Sequence, residues 1–259
     1  MEQGNEMTVT KDLFRRVGVD EQKSESVVRP SISYWQDAVR RLKQNKVAMV
    51  SLVVLLLILV MCAIGPYIYP HPFDEQNIEF TNQAPSLQHW FGLDDLGRDI
   101  FARIWMGGRI SLTIGIVGAF VSLVIGVLYG GISGYCGGLV DDIMMRIVEI
   151  LVGVPYMVVV IIMSVVLGKG MTSLLIALCI TSWTNLARIV RGQVLELKES
   201  EYVLAARALG TPPLQIIVTH LLPNTLSLII INTTFSIPSF IFAEAFLSFV
   251  GLGIQPPLT

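Results

Sequence analysis

The chain has 259 residues, of which 53% are hydrophobic and only 15% are charged, and its formal net charge is −2. Soluble domains carry about a quarter charged residues, so this composition argues against an ordinary soluble protein and is typical of a chain that crosses a membrane several times. The three cysteines, Cys62, Cys136 and Cys179, have no metal-ligand spacing and indicate packing positions rather than a disulfide framework. The sequence predicts an all-α, polytopic membrane protein.

Five segments are apolar enough, at about 20 residues each, to cross the hydrocarbon core. A polar tail, residues 1–46, precedes the first of them, and no small-residue cleavage site follows it, so we interpret the first segment as an anchor and not as a cleaved signal. The predicted transmembrane helices are 47–64, 110–132, 143–167, 173–190 and 225–249.

Lysine and arginine are distributed unevenly between the two sides of these segments. The tail carries nine: Lys11, Arg15, Arg16, Lys23, Arg29, Arg40, Arg41, Lys43 and Lys46. The loop 191–224 and its border add Arg188, Arg191, Lys198 and Arg207, and the opposite side receives Arg98, Arg103, Arg109 and Lys169. Since basic residues favour the cytoplasmic side, the N-terminus and the loop 191–224 are predicted inside, and the loop 65–109 and the C-terminus outside.

The end of the external loop reads "DDLGRDIFARIWMGGR" and places Phe101, Ile104 and Trp105 on one helical face. This pattern predicts an amphipathic helix, which either lies on the outer membrane surface near an incoming receptor or braces the second span.

Four glycines, Gly126, Gly130, Gly134 and Gly138, recur at every fourth position. In lipid such a stripe lets helices pack closely, either as a sliding seam between subunits or within this chain, with a glycine-rich loop beyond Gly134.

Among the charged residues within the predicted spans, three are candidate functional groups. Arg146 and Glu149 are three residues apart and can pair on one helical face. Glu244 lies in the outer part of the fifth span, beyond a bend expected at Pro238. Each is either an intramembrane functional group or an anchoring group near the interface.

The stretch "EYVLAARALGTPPLQIIVTHLLPN" predicts two short cytoplasmic helices that are separated at Gly210, the second ending at Pro223. Ala206 and Gly210 share a face with little bulk, while Tyr202, Leu204 and Leu209 offer apolar contact. The piece is either a hairpin on the membrane or a docking site for another protein. A DNA-binding helix-turn-helix is rejected, because the second helix has no Lys or Arg.

This stretch also resembles the cytoplasmic coupling motif of ABC-transporter permeases. Ala205, Ala206 and Gly210 match the motif, "THLLP" matches its ending, and Leu204 stands where the motif has Glu. Three further stretches resemble the C-type permease of oligopeptide, dipeptide and nickel importers: "HWFGLDDLGRDIFARIWMGGRISL", "GLVDDIMMRIVEIL" and "EAFLSFVGLGIQPP". Such permeases usually have six spans, so the resemblance implies a chain that lacks the sixth.

The resemblance implies a bundle like that of a type I ABC importer permease, in a bacterial cell membrane. It implies an ATP-driven importer of oligopeptides or dipeptides, with a second permease, two ATPase subunits and an external substrate-binding protein as partners. The coupling residues would be Glu201, Tyr202, Leu204, Ala205, Ala206, Arg207, Leu209 and Gly210. The chain itself is expected to catalyse nothing and to bind no metal, cofactor or nucleic acid, with ATP and Mg on the ATPases.

Two alternatives stay open. Within the same family, the substrate would be a nickel chelate in place of a peptide. Outside it, the chain would belong to an ion-coupled secondary transporter, which needs ionisable groups near the membrane midplane. The predicted spans offer mainly Glu149 and Glu244 for that role, and both lie towards span ends.

Overall fold

The computed structural model describes residues 34–68 and 72–254. Within these ranges the chain is helical, and the only extended pairing is an isolated bridge between Leu93 and Asp99. The helices are α1 (Tyr34–Gln44), α2 (Lys46–Ile68), α3 (Ile100–Cys136), α4 (Gly138–Gly153), α5 (Tyr156–Leu167), α6 (Met171–Leu197), α7 (Glu201–Ala208), α8 (Pro213–Ile216) and α9 (Leu222–Phe249). A short 3-10 turn, Ile78–Phe80, lies in the loop before α3, and a π-helical segment, Ile217–Leu221, joins α8 to α9.

In the described part of the chain, four helical runs are long and apolar enough to cross a membrane: α2, α3, α6 and the continuous run Pro213–Phe249. The pair α4 and α5 supplies a fifth span if the two are counted together. The all-α, multi-pass fold class is thereby confirmed, and α2, α3, α6 and α9 contain the predicted first, second, fourth and fifth spans.

The predicted third span, 143–167, is interrupted. Its two halves, α4 and α5, differ in direction by 82° across the break. Pro155 has no N–H to continue the ladder of α4, and a residue before proline is driven away from helical torsion angles. Val154 accordingly has φ −85° and ψ 122°, and Pro155 becomes the N-cap of α5.

The described residues divide within α2 into two compact units, the first ending at Leu55 and the second beginning at Leu56. In the first unit, α1 carries an exposed ion pair between Arg41 and Asp37, whose Nε and Oδ2 are 2.8 Å apart. The Asn45 side chain accepts a hydrogen bond from the Ala48 N–H at 3.1 Å and so caps the start of α2.

Close packing of α3 on α6 forms the centre of the second unit. A Cβ added at Gly130 would lie 2.3 Å from the Ala187 carbonyl oxygen, and one at Gly134 would lie 2.8 Å from that of Arg191. Gly126 similarly faces the backbone of Trp183. Three members of the glycine stripe therefore pack within this chain, which agrees with the second of the two interpretations. Gly138 has open space beside it and begins α4 with φ +52°.

The loop 72–99 is held to the start of α3 by ionic contacts. The Asp94 carboxylate bonds Arg98, with Nε and Oδ2 2.8 Å apart, and also contacts Arg103. Burial alone would raise the pKa of Asp94, but hydrogen bonds from the Arg98 and Leu96 backbone N–H groups and from the Arg98 guanidinium hold it below its ordinary value. Asp99 caps α3 by accepting from the Ala102 N–H, and its second oxygen lies 2.8 Å from His89 Nδ1.

The amphipathic helix expected before the second span is the beginning of α3 itself, because the helix runs without a break from Ile100 to Cys136. The three apolar residues do not share one environment. Phe101 is buried against Trp90 and Trp105, whereas Ile104 remains exposed. This arrangement favours the bracing interpretation of the segment.

Candidate functional site: the α7 surface

The short helix α7 ends where its glycine predicts. Gly210 has φ +80°, its N–H donates to the Arg207 carbonyl, and the Thr211 N–H donates to the Ala206 carbonyl. These two bonds form a Schellman motif, which glycine favours because it adopts positive φ without steric cost. The N-cap residue is Ser200, whose hydroxyl donates to the Leu197 carbonyl at 2.6 Å and caps no N–H.

The predicted second helix does not end at Pro223, because Pro213–Phe249 is one helical run and Pro223 lies in the first turn of α9. Proline has no N–H for the Thr219 carbonyl and its ring crowds that group. The chain widens into the π-helical segment just before this point, where the Leu222 N–H bonds the Ile217 carbonyl. The hairpin is therefore α7 followed by the start of a membrane-length helix.

One face of α7 is buried in the protein. Val203 is fully buried and Ala206 is 8% exposed, and both belong to a cluster with Val194 of α6 and Ile216 and Leu221 of the final helical run. Ala206, predicted to share a small-residue face with Gly210, packs against this chain's own helices, because its position one turn after Val203 places it on the inward face. Gly210, by contrast, has no atom within 4 Å of a built Cβ.

The rest of the α7 circumference is open and carries apolar side chains. Leu209 is 86% exposed, and Tyr202 and Leu204 are 41% and 44% exposed. Leu214 of α8, 64% exposed, continues the same apolar segment. We name these four residues the α7 surface. The other predicted coupling residues, Glu201, Ala205 and Arg207, are also exposed.

Polar contacts attach α7 to its neighbours. The Arg207 guanidinium lies 5.3 Å from the centre of the Tyr135 ring on α3, a cation–π contact. Asn224 of α9 donates to the Tyr202 hydroxyl at 3.3 Å. The helix is thus connected to both α3 and α9.

A buried ion pair lies at the same end of the second unit and was not foreseen from the sequence. Asp141 of α4 accepts two hydrogen bonds from Arg191 of α6, from Nε and Nη2 at 2.5 Å each, and a third from Ser133 of α3. Lys198 adds a bond to the Gly134 carbonyl at 3.1 Å. Asp141 lies inside a quoted motif, and a carboxylate at the start of an apolar helix was the signal that could have identified it.

The charged residues singled out from the sequence have different environments. Arg146 and Glu149 form the expected pair at 3.0 Å, with both side chains exposed. Glu244 is buried and accepts hydrogen bonds from Ser111 at 2.6 Å and Ser248 at 2.9 Å. Within the described residues no group of three or more His, Cys, Asp or Glu side chains could hold a metal ion.

Two family models match this chain. Residues 122–259 match the family "Binding-protein-dependent transport system inner membrane component", and residues 33–85 match "N-terminal TM domain of oligopeptide transport permease C". The first match contains α4 to α9, including the α7 surface.

Similar proteins over most of the chain are permeases. The dipeptide transport system permease protein DppC of Bacillus subtilis is 52% identical over 235 residues, 91% of this chain and 73% of that protein. The oligopeptide transport system permease protein OppC of the same organism is 45% identical, over 96% of this chain and 82% of that protein. The oligopeptide transport system permease protein OppC of Escherichia coli is 41% identical, over 88% of this chain and 76% of that protein.

A solved structure shares the fold. The MetNI methionine ABC transporter, in an inward-facing conformation, aligns with 58% of this chain and 77% of its own chain at a TM-score of 0.50 and 24% identity. The relatives are transport subunits that leave ATP hydrolysis to separate ATPase subunits. The chain therefore belongs to the binding-protein-dependent inner membrane components, as an ABC permease of the oligopeptide and dipeptide type.

Proposed function

We propose that this chain is a membrane-spanning subunit of an ATP-driven importer for oligopeptides or dipeptides. It forms the path with a second permease, couples to two ATPase subunits that carry ATP and Mg, and receives substrate from an external binding protein. The peptide class is supported by the names of the dipeptide and oligopeptide relatives.

The observation that carries the coupling role is the two-faced character of α7. Val203 and Ala206 anchor it in the protein, while the four apolar or aromatic side chains of the α7 surface are exposed. Exposed apolar side chains on a helix that its own chain leaves uncovered suit contact with another protein. A partner that displaces α7 would move α6 and α9 as well, because the anchoring residues pack on both.

The proposed orientation of the chain in the membrane follows from the distribution of basic residues. The N-terminal tail and the end of the bundle that carries α7 would face the cytoplasm, and the loop 72–99 would face the outside. Of the four cations on the outer side, Arg98 and Arg103 are engaged by Asp94.

The coupling role is tested with Leu209→Asp in the transporter reconstituted with its partner permease, ATPases and binding protein. We expect substrate-stimulated ATP hydrolysis and peptide uptake to fall at least about tenfold, as for an apolar residue central to an interface. The matched control, Leu209→Met, keeps an apolar side chain and should retain both activities. Normal coupling in Leu209→Asp would reduce α7 to a structural hairpin.

The orientation is tested with single cysteines at Ser24, Leu87 and Leu209 in a background without Cys62, Cys136 and Cys179. Leu87 is 99% exposed and Leu209 is 86% exposed. An impermeant thiol reagent should label Leu87→Cys on intact cells. It should label the other two only after permeabilisation, Leu209→Cys in cells that lack the ATPases, which would otherwise cover it. The reverse pattern would invert the topology and separate α7 from cytoplasmic ATPases.

A further inference from the structure

A cavity of about 520 Å³ lies between α5, α6 and α9. Its volume falls within the range of roughly 300–1,000 Å³ that is typical of small-molecule sites. Amide, hydroxyl and aromatic side chains line it, and none of its lining residues carries a charge; among them are Tyr156, Thr181, Asn185, Asn232, Phe235 and Ser239.

The amide of Asn185 is open for a ligand. It is exposed, and within the described part of the chain its side chain has no hydrogen-bond partner. Asn232 uses its Nδ2 to donate to the Leu228 carbonyl at 2.8 Å, which leaves its Oδ1 as an acceptor. The Ser239 hydroxyl donates to the Phe235 carbonyl in its own helix. The cavity thus offers both a donor and acceptors, concentrated on two asparagines.

The cavity faces something other than lipid. Asn185 is near the middle of the spanning helix α6, and Arg188, one turn further along the same face, is also exposed. Arg188 borders a second cavity of about 670 Å³ that is lined with Asp142, Arg146 and Glu149. An exposed amide near the middle of a spanning helix is costly in hydrocarbon, so this face contacts water or protein.

We propose that the cavity between α5, α6 and α9 binds the backbone of a transported peptide, with Asn185 as its main hydrogen-bonding group. This assignment rests on the proposed function. A primary amide offers a donor and an acceptor side by side and so complements a peptide amide, which presents the same two groups. Phe235, 72% exposed, contacts apolar side chains of the peptide. Because the lining is uncharged, the cavity recognises the peptide backbone and does not discriminate between peptides with differently charged side chains.

The test introduces a charge and measures a ratio. The complete transporter in liposomes is given Ala-Lys-Ala and Ala-Glu-Ala separately, and ATP-driven uptake of the two is compared within each variant. We expect Asn185→Asp to shift the ratio towards the lysine peptide by roughly tenfold, because a carboxylate in the cavity attracts one side chain and repels the other. Thr234→Asp, at an exposed α9 position outside the cavity, should keep the wild-type ratio.

The ratio does not depend on how much folded protein each variant yields. A wild-type ratio in Asn185→Asp overturns the cavity assignment, whereas absence of ATP-driven peptide uptake in the wild type overturns the proposed function itself. If Asn185→Asp does not assemble, the variant Asn185→Leu tests the cavity assignment instead. It removes the free amide, and we expect a roughly fivefold lower maximal uptake of Ala-Ala-Ala at saturating binding protein. Unchanged uptake in that variant overturns the assignment.

Discussion

Replacement of Arg191 by leucine tests whether the ion pair between α4 and α6 stabilises the bundle. Asp141 is the buried partner, with a side chain 8% exposed, while that of Arg191 is 32% exposed. Arg191→Leu removes two of the three hydrogen bonds that Asp141 accepts and leaves its carboxylate with the Ser133 hydroxyl.

The expected cost follows from this geometry. Removal of one partner from a fully buried pair costs about 3–5 kcal/mol, since a buried charge is left uncompensated. Because water reaches the Arg191 side of the pair, we expect a destabilisation at the lower end of this range, about 3 kcal/mol. At about 2–4 °C per kcal/mol, the midpoint of thermal unfolding should fall by roughly 6–12 °C. The double variant Asp141→Asn with Arg191→Leu should recover most of this loss, because no unpaired charge remains.

The assay is the fraction of monodisperse protein in detergent after heating, followed as a function of temperature. Arg146→Leu is the matched control: its ion pair with Glu149 is exposed, with side-chain exposures of 76% and 58%, and such pairs contribute below about 1 kcal/mol. A double variant as unstable as Arg191→Leu would refute the reasoning, because the cost would then come from lost packing. Equal shifts in Arg191→Leu and Arg146→Leu would refute it as well.

Three further predictions concern two glycines and the loop 72–99. Gly130→Ala should lower the midpoint of thermal unfolding and cost about 1–3 kcal/mol of stability, because its Cβ would meet the Ala187 carbonyl. Gly107→Ala is the control in the same helix: its Cβ meets no atom within 4 Å, so this variant should be neutral or stabilising. Gly210→Leu should cost about 1 kcal/mol through its positive φ and impair ATPase stimulation while membrane levels stay normal, and unimpaired stimulation would count against coupling through α7. Because the folded-state pKa of Asp94 is lowered, its contribution to stability is complete above about pH 4 and is lost as pH falls through the folded pKa. The midpoint of thermal unfolding of Asp94→Asn should therefore fall less on acidification than that of the wild type.

The sequence predicts the spans well because hydrocarbon imposes a simple requirement of length and apolarity. The segments 47–64, 173–190 and 225–249 lie inside single helices of the structure. The helix ends were underestimated where polar residues continue a helix beyond the membrane, as at Arg191 to Leu197 of α6. Hydropathy identifies the part of a helix that can lie in lipid, whereas the hydrogen-bonded helix continues beyond that part.

The errors at the candidate site come from tertiary contacts. Ala206 and Gly210 share a face when α7 is considered alone, but packing against α6 and the final helical run buries Ala206 and leaves Gly210 open. The ion pair of Asp141 with Arg191 joins residues 50 positions apart, and no local pattern signals it. Pro155 was a visible signal for the break in the third span, yet continuous hydrophobicity on both sides outweighed it in the prediction.

These contacts also indicate how movement at α7 could reach the cavity. Asp141 holds the start of α4 to α6, and Val203 holds α7 to the same helix, so we infer that α4, α6 and α7 move together. α5 follows the sharp break at Pro155, packs on α6 and supplies Tyr156 to the cavity. During ATP turnover, spin labels on α4 and α6 should therefore keep their separation, and so should labels on α5 and α6, because movement at α7 reaches the cavity through α6, which lines it. A changing distance in either pair would mean that the helix concerned does not move with α6.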